Sequence, residues 1–506
     1  MLLPSLVVDV DSFRDAYLPE RECWLKDRTE NGVSRTRVRG DMAEATAGKQ
    51  TQGVKTLLGD PKKAIIKLSI PMVVAMSAHT LYNVTDAIWV AGLGPESLAA
   101  VGFVFPFFFM AMAVASGVGI GGGAAISRRI GARDKDGADS IASHSIVLML
   151  FCVVVFTVAT LATAEPVLRQ MGAGAALEPS VQYARILFSG IVFVFFQQTA
   201  IAILRSEGDV KRAMYAMVGG AVLNMVLDPI FIYTMGLGVG GAALASVFAM
   251  FLVSVVTFYW LFLEKKTYVS FRFRGFRFVG GHVWDISRVG FPASISQMSM
   301  ALMAFAVTTI VAFVGGPDGV AVYTTGWRMI ALAALPVLGV ASAVTSVSGA
   351  AFGAGEYEKI KVSYFYALKA CVVLEGVFAL LLVVFAPHIV WIFTWSSESG
   401  RIVEDLIVFL RISWVVLPAA AFGMLSAAMF QGVGRGLYAL IMTLLRTLVF
   451  TVPLAWLFGI QLDWGLRGVW IGMAIAGGIA VPIAFGWAML HMRWLVRNPD
   501  LARVGT

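Results

Sequence analysis

The chain has 506 residues, 58% of them hydrophobic and 14% charged, with a mean hydropathy of +0.81. So much apolar surface cannot be wrapped around one water-soluble core, and the bilayer is the expected solvent for most of the chain. The net charge of +8 does not imply a nucleic-acid partner, because the basic residues fall in short loops between apolar runs rather than in one patch.

Residues 1–54 are expected to form a polar, disordered extension, with Arg14, Arg21, Lys26, Arg28, Arg35, Arg37 and Arg39 and no helical period. They lack the continuous apolar stretch of a signal peptide. Met42 opens a more ordinary lead into the first span, so the native start is expected there, downstream of residues 1–41. Cys23, Cys152 and Cys371 are too scattered for a disulfide framework or a zinc site, and no cofactor is expected.

A membrane helix needs about 20 apolar residues. Twelve such runs follow, near 63–92, 98–124, 139–163, 182–204, 213–235, 239–263, 288–314, 322–350, 364–390, 405–430, 437–459 and 467–491. The first six and the last six are two copies of one unit. Ile70-Pro71 returns as Phe291-Pro292, Gly94-Pro95 as Gly316-Pro317, Tyr183-Ala184-Arg185 as Phe409-Leu410-Arg411, and Leu204-Arg205 as Phe430-Gln431. The expected fold is therefore all-α and polytopic, with a six-helix bundle over 55–264, a basic linker over 265–285, a second bundle over 286–492 and a polar tail over 493–506. Duplicated membrane halves that meet at a cleft are the usual frame of a secondary transporter.

Arg128, Arg129, Arg133, Lys135, Lys211, Arg212, Lys265, Lys266, Arg272, Arg274, Arg277, Lys359, Lys361 and Arg435 fall on one side of the membrane. Only Arg169, Arg401 and Arg467 fall on the other. The basic side is the expected cytoplasmic face, with both termini on it.

Ionisable groups inside spans are costly and mark candidate sites. Asp86 stands eight residues before Gly94, Asp228 eight before Gly236, and Ser246 eight after Gly238, so all three lie about 12 Å from the same ends of their helices. Tyr82 and Asn224 sit one turn from the two acids. Two carboxylates, an amide oxygen and two hydroxyls could hold sodium at Asp86, Asn224, Asp228 and Ser246, or the acids could hold a proton. The second copy has Val307 or Thr308 opposite Asp86, and Leu454 or Pro453 opposite Asp228, so the acid pair belongs to the first half alone. Arg185 and Arg411 read as snorkelling side chains, His79 as a proton relay or a core histidine, and Glu375 with Lys369 as a possible ion pair. Gly117-Val118-Gly119-Ile120-Gly121-Gly122 matches a dinucleotide fingerprint with no strand before it, and reads instead as close helix packing. No phosphate loop, paired metal-binding histidines or nucleophile elbow is present, so no enzyme activity is expected.

Tyr82-Asn83-Val84-Thr85-Asp86-Ala87-Ile88-Trp89-Val90, Ser127-Arg128-Arg129-Ile130-Gly131-Ala132, Leu204-Arg205-Ser206-Glu207-Gly208-Asp209 and Asn224 through Phe231 together resemble the multidrug and toxic compound extrusion family, in its archaeal and bacterial DinF-like branch. The resemblance covers about residues 55–490. It implies two six-helix bundles around a V-shaped cleft in a prokaryotic plasma membrane, and antiport of an amphipathic, often cationic drug against a proton or sodium ion. It also implies that Asp86, Asp228, Asn224, Tyr82 and Ser246 line the coupling site. Drug contacts are expected from Tyr82, Gln198 and Thr199, the last two standing where close relatives carry asparagines. A functional monomer is expected, since the two copies in one chain make up a whole pathway. The alternative is a flippase of a lipid-linked saccharide or other lipid-linked precursor, which the acids expected in the cavity disfavour.

Overall fold

The computed structural model describes residues 51–499, save 265, 272, 274–275 and 394–396. The start at Met42, the bulk of the polar extension, Cys23, the last residues of the tail, and Lys265, Arg272 and Arg274 of the linker lie outside the described residues.

A short helix, Gln52–Leu58, leads into α1 (Pro61–Ala91), whose first turn is capped by Asp60 accepting from Lys62 N (2.9 Å) and Lys63 N (3.0 Å). Then follow α2 (Pro95–Gly131), α3 (Lys135–Gln170), α4 (Leu177–Ser189 and Ile191–Ser206), α5 (Val210–Pro229, prolonged by a π-turn over Ile230–Thr234) and α6 (Gly238–Phe258). The second copy comprises α7 (Gly280–Ala333), α8 (Leu335–Gly353), α9 (Tyr357–Val384), α10 (Val403–Ser413 and Val416–Gly432), α11 (Gly436–Leu444, continuing to Gln461) and α12 (Gly465–Arg497). Ten helices are long and apolar enough to span a membrane, and the bent pairs α4 and α10 raise the number to twelve.

Three spans differ from their expected form. The runs 182–204 and 405–430 are each broken, by 47° at Gly190 and by 48° at Trp414–Val415. The expected 322–350 span is split at Ala334, and α7 is broken before its first part at the non-helical Gly316 (φ 57°, ψ −153°), the counterpart of Gly94 (φ 98°). Only glycine adopts these angles without strain. Domain limits shift too: helix begins at Gln52, α7 starts within the expected linker, and α12 runs on to Arg497, a cation that favours the negative end of the helix.

The halves pack against each other near the basic ends of α2, α7, α8 and α10. The contact is self-complementary. A Cβ on Gly131 would clash with the Ala350 carbonyl, and a Cβ on Gly353 would clash with the Arg128 carbonyl; both residues in each clash are repeat equivalents of the other pair. Gly121 packs likewise on Ile286 O, while Gly119 and Gly123 face Ala202 on α4, which makes the glycine motif a packing device on two sides. Arg128, 7% exposed, donates to Gly432 O across the seam.

The linker is tied to the first half by buried acceptors. Glu207 Oε2 accepts from Tyr268 N (2.8 Å) and Val269 N (3.0 Å), Asp139 Oδ1 accepts from Ser270 N (2.8 Å), and His144 Nε2 accepts from Val279 N (3.0 Å). Burial pushes the Glu207 carboxyl from its ordinary 4.5 up to about 8, against the pull of the two backbone N–H groups.

Two outcomes follow. Gly131→Val should part the halves at their basic ends, so that Ala350→Cys, placed in a background without the native cysteines, becomes alkylated faster by a maleimide than with Gly131 intact. Because the folded chain keeps the Glu207 proton that the unfolded chain releases, stability should fall as pH rises between about 4.5 and about 8. Thermal unfolding at both ends of that window should show a flatter pH response in Glu207→Gln than in the parent.

Candidate functional site

Tyr233 Oη donates to Trp89 O (2.6 Å), which holds the outer end of α1 to the π-turn of α5. Asp86 thereby faces Asp228 one level deeper. The two carboxyl groups sit within hydrogen-bond reach of one another. Asp228 is fully buried, whereas Asp86 is half-buried. Asn224, 3% exposed, is oriented by its neighbours: with the amide nitrogen toward the acid, it donates to Asp228 Oδ2 (2.9 Å) and its oxygen accepts from Ser246 Oγ (3.1 Å) and Ser246 N (3.2 Å). The Tyr82 hydroxyl lies within reach of Ser246 as well. The five residues singled out by helical spacing thus form one cluster. Two carboxyls in hydrogen-bond contact need a proton between them, and Asn224 adds a donor to Asp228 rather than a free oxygen.

One member was missed. Tyr183, on the first segment of α4, is buried within electrostatic reach of Asp86, Tyr82 and Asp228. A signal existed, because its counterpart Phe409 is the same ring without the hydroxyl.

The second half shows what replaces the cluster. Leu237 N bonds Phe231 O, and Trp464 N bonds Phe458 O, so the repeat offset there is 227 and Asp228 matches Ala455 rather than Leu454 or Pro453. Ser246 then matches Met473. With Met303 opposite Tyr82 and Val307 opposite Asp86, these counterparts, with Phe409 and Ala455, lie in one buried apolar cluster with Tyr323 and Trp470, while Asn224 matches the buried Thr451.

A cavity of about 270 Å³ lies between the halves, one turn beyond the glycine contacts on α2 and α8. Its lining contains repeat pairs, Met76 with Gln297 and Arg205 with Gln431, so it straddles the pseudo-twofold axis. None of Tyr82, Gln198 and Thr199 lines it. Gln198 is one turn deeper on the stripe that reaches the cavity at Ala202 and Arg205, with its backbone against Gly119, and Thr199 is turned into the bundle with its hydroxyl unpartnered. The acids expected in the cavity are not there either: no aspartate or glutamate among the described residues lines it, because α1 and α5 turn theirs toward each other within the first half.

The remaining candidates are peripheral. His79 is on the exposed side of α1, its ring 5.6 Å from that of Tyr82. Arg185 pairs with Glu165 (3.4 Å) and Arg411 is exposed. Lys369 is exposed while Glu375, on another face of α9, is fully buried with neither oxygen bonded, so the two form no pair. Cys152 and Cys371 are free thiols.

A family model described as MatE matches residues 71–230 and again 292–457, with starts 221 residues apart, as the repeat requires. A curated relative described as multidrug export protein MepA, from Staphylococcus saprophyticus, is 26% identical over 82% of this chain and 90% of its own length. Among solved structures, one described as an outward-facing conformation of a multidrug resistance MATE family transporter of the MOP superfamily is 47% identical, with a TM-score of 0.87 over 89% of this chain and all of that one. Another, a MOP superfamily transporter from Pyrococcus furiosus described under the words "reverse polarity of binding pocket suggests different function", is 47% identical over 88% of this chain and 99% of its own, with a TM-score of 0.86. Matched twice by one family model at the spacing of its own repeat, the chain belongs to the multidrug and toxic compound extrusion (MATE) family.

Proposed function

We propose that the chain exports amphipathic organic molecules by alternating access, driven by a cation taken up at Asp86 and Asp228. The observation that carries this reading is the acid cluster itself: two carboxyls in contact inside a membrane bundle, on helices whose duplicated partners are wholly apolar at the same positions. Asn224, Ser246 and Tyr82 position the acids, and Tyr183 belongs to the same site. The paired geometry favours a proton, since a sodium ion would need the Asn224 oxygen that Ser246 occupies.

Protonation removes the repulsion between the acids and lets α1 pack closer to α5, whereas proton release drives them apart. The ion can bias the conformation only through its different affinity for the two states, and cargo must be coupled to the same pair of states. The basic ends face the cytoplasm in this reading, with both termini, so the packed seam at Gly131 and Gly353 closes the inner side and the cavity is reached from outside. One chain contains the whole pathway and works as a monomer.

The test uses proteoliposomes loaded with a panel of fluorescent amphiphiles of both charges. A pH gradient without sodium should drive transport, and a sodium gradient at clamped pH should not. Asp86→Asn should abolish gradient-driven transport of every panel member while the protein stays folded; parental transport by that variant would remove the basis of the reading.

A further inference from the structure

Arg205 and Arg446 both line the inter-half cavity, one from α4 of the first half and one from α11 of the second. Neither has an ion-pair partner or a charged neighbour in electrostatic reach among the described residues, and neither guanidinium is sealed from the cavity. The other polar side chains on the wall are amides and hydroxyls, Gln297 and Gln431 among them, while Met300 and Phe450 supply apolar surface. Two unneutralised cations with no acid repel a cationic guest. They favour a carboxylate, sulfonate or phosphate, which can take charge-assisted hydrogen bonds from a guanidinium.

The backbone of α11 departs from that of α5 next to Arg446. From the cap Asp209 to the π-turn at Ile230, α5 is one residue shorter than α11 from Arg435 to Leu457. The extra residue is taken up by a π-segment, Leu445–Thr451, in which Arg446 stands second and its carbonyl accepts from Thr451 Oγ1 (2.7 Å). Insertions of this kind rotate the following side chains and recur at functional sites. The counterpart of Arg446 in α5 is Gly220, which has no side chain to present.

We propose that this cavity is an acid-free site for the acidic head of an amphipathic organic anion, drawn in by Arg205 on one wall and Arg446 on the other, with its apolar body against the methionine and phenylalanine wall. That the bound anion is cargo rests on the transport reading above. The binding does not. Because the two arginines come from opposite halves, the attraction an anion meets between them changes with the separation of the halves, which ties occupancy to conformation.

Binding is measured without any gradient, in phosphatidylcholine nanodiscs, with taurocholate as the anionic probe and ethidium as the cationic one. Taurocholate should bind the parent, and Arg205→Gln and Arg446→Gln should each weaken it by about tenfold or more. Arg205→Gln copies the residue of the other half and should fold, and Arg446→Lys should restore part of the affinity. Ethidium binding should not weaken in any of the three. Taurocholate affinity unchanged by both glutamine substitutions, or ethidium binding that falls with it, overturns the proposal. A second arm replaces the lipid with phosphatidylglycerol: competition that disappears in the double variant supports a membrane lipid as occupant, and its absence supports a free amphiphile. Arginine-dependent binding that persists in Asp86→Asn, alongside failed gradient-driven transport by the parent, would leave this site standing and the antiport reading fallen.

Discussion

A carboxylate cannot sit alone in hydrocarbon, and the first half of this molecule is built around that constraint. Asp228 is completely buried on α5, followed at once by a proline that ends the regular helix. It is met by an amide nitrogen from its own helix and, with a proton between them, by a second carboxyl from α1, and each of those is held in turn, Asn224 by Ser246 of α6 and α1 by Tyr233 at its outer end. Removing any one contact leaves a buried polar group unpaired, which is why three helices are locked into one level.

The second half shows the same frame with the constraint lifted. At the positions of Tyr82, Asp86, Tyr183, Asp228 and Ser246 stand Met303, Val307, Phe409, Ala455 and Met473, all within one apolar cluster. There the bundle is held by ring packing, with Phe409 4.7 Å from Trp470 in an edge-on contact. That half is free to place charge elsewhere, and it places Arg446 at the cavity where the first half has Gly220. The duplication therefore divided the work: the acids lie inside one bundle and the cations at the seam between the two.

Much of this was legible in the order of residues. The glycine and proline markers showed the duplication, and the offset of 221 at Pro71 and Pro292 reappears in the family match. Spacing from the turn glycines placed Asp86, Asp228 and Ser246 at one depth because a helix advances uniformly along the chain. Other features were not legible. Gln198 reads as a drug contact by its place in a motif, yet the stripe it lies on meets the cavity only from Ala202 to Ser206, a matter of where α4 bends at Gly190. Tyr183 could have been found by comparing it with Phe409, since only the hydroxyl differs.

Periodicity and repeat spacing by themselves determined the class, the twelve spans, the duplication and the depth of the acid pair, because hydropathy and helical rise are local properties of a chain. Only the tertiary structure decided that the acids face each other rather than the cavity, that Ala455 is the counterpart of Asp228, and that Arg205 and Arg446 line one cavity from opposite halves. Those facts depend on the rotation of each helix about its axis, which is set by packing against neighbours distant in sequence, by the bend in α4 and by a single π-insertion in α11.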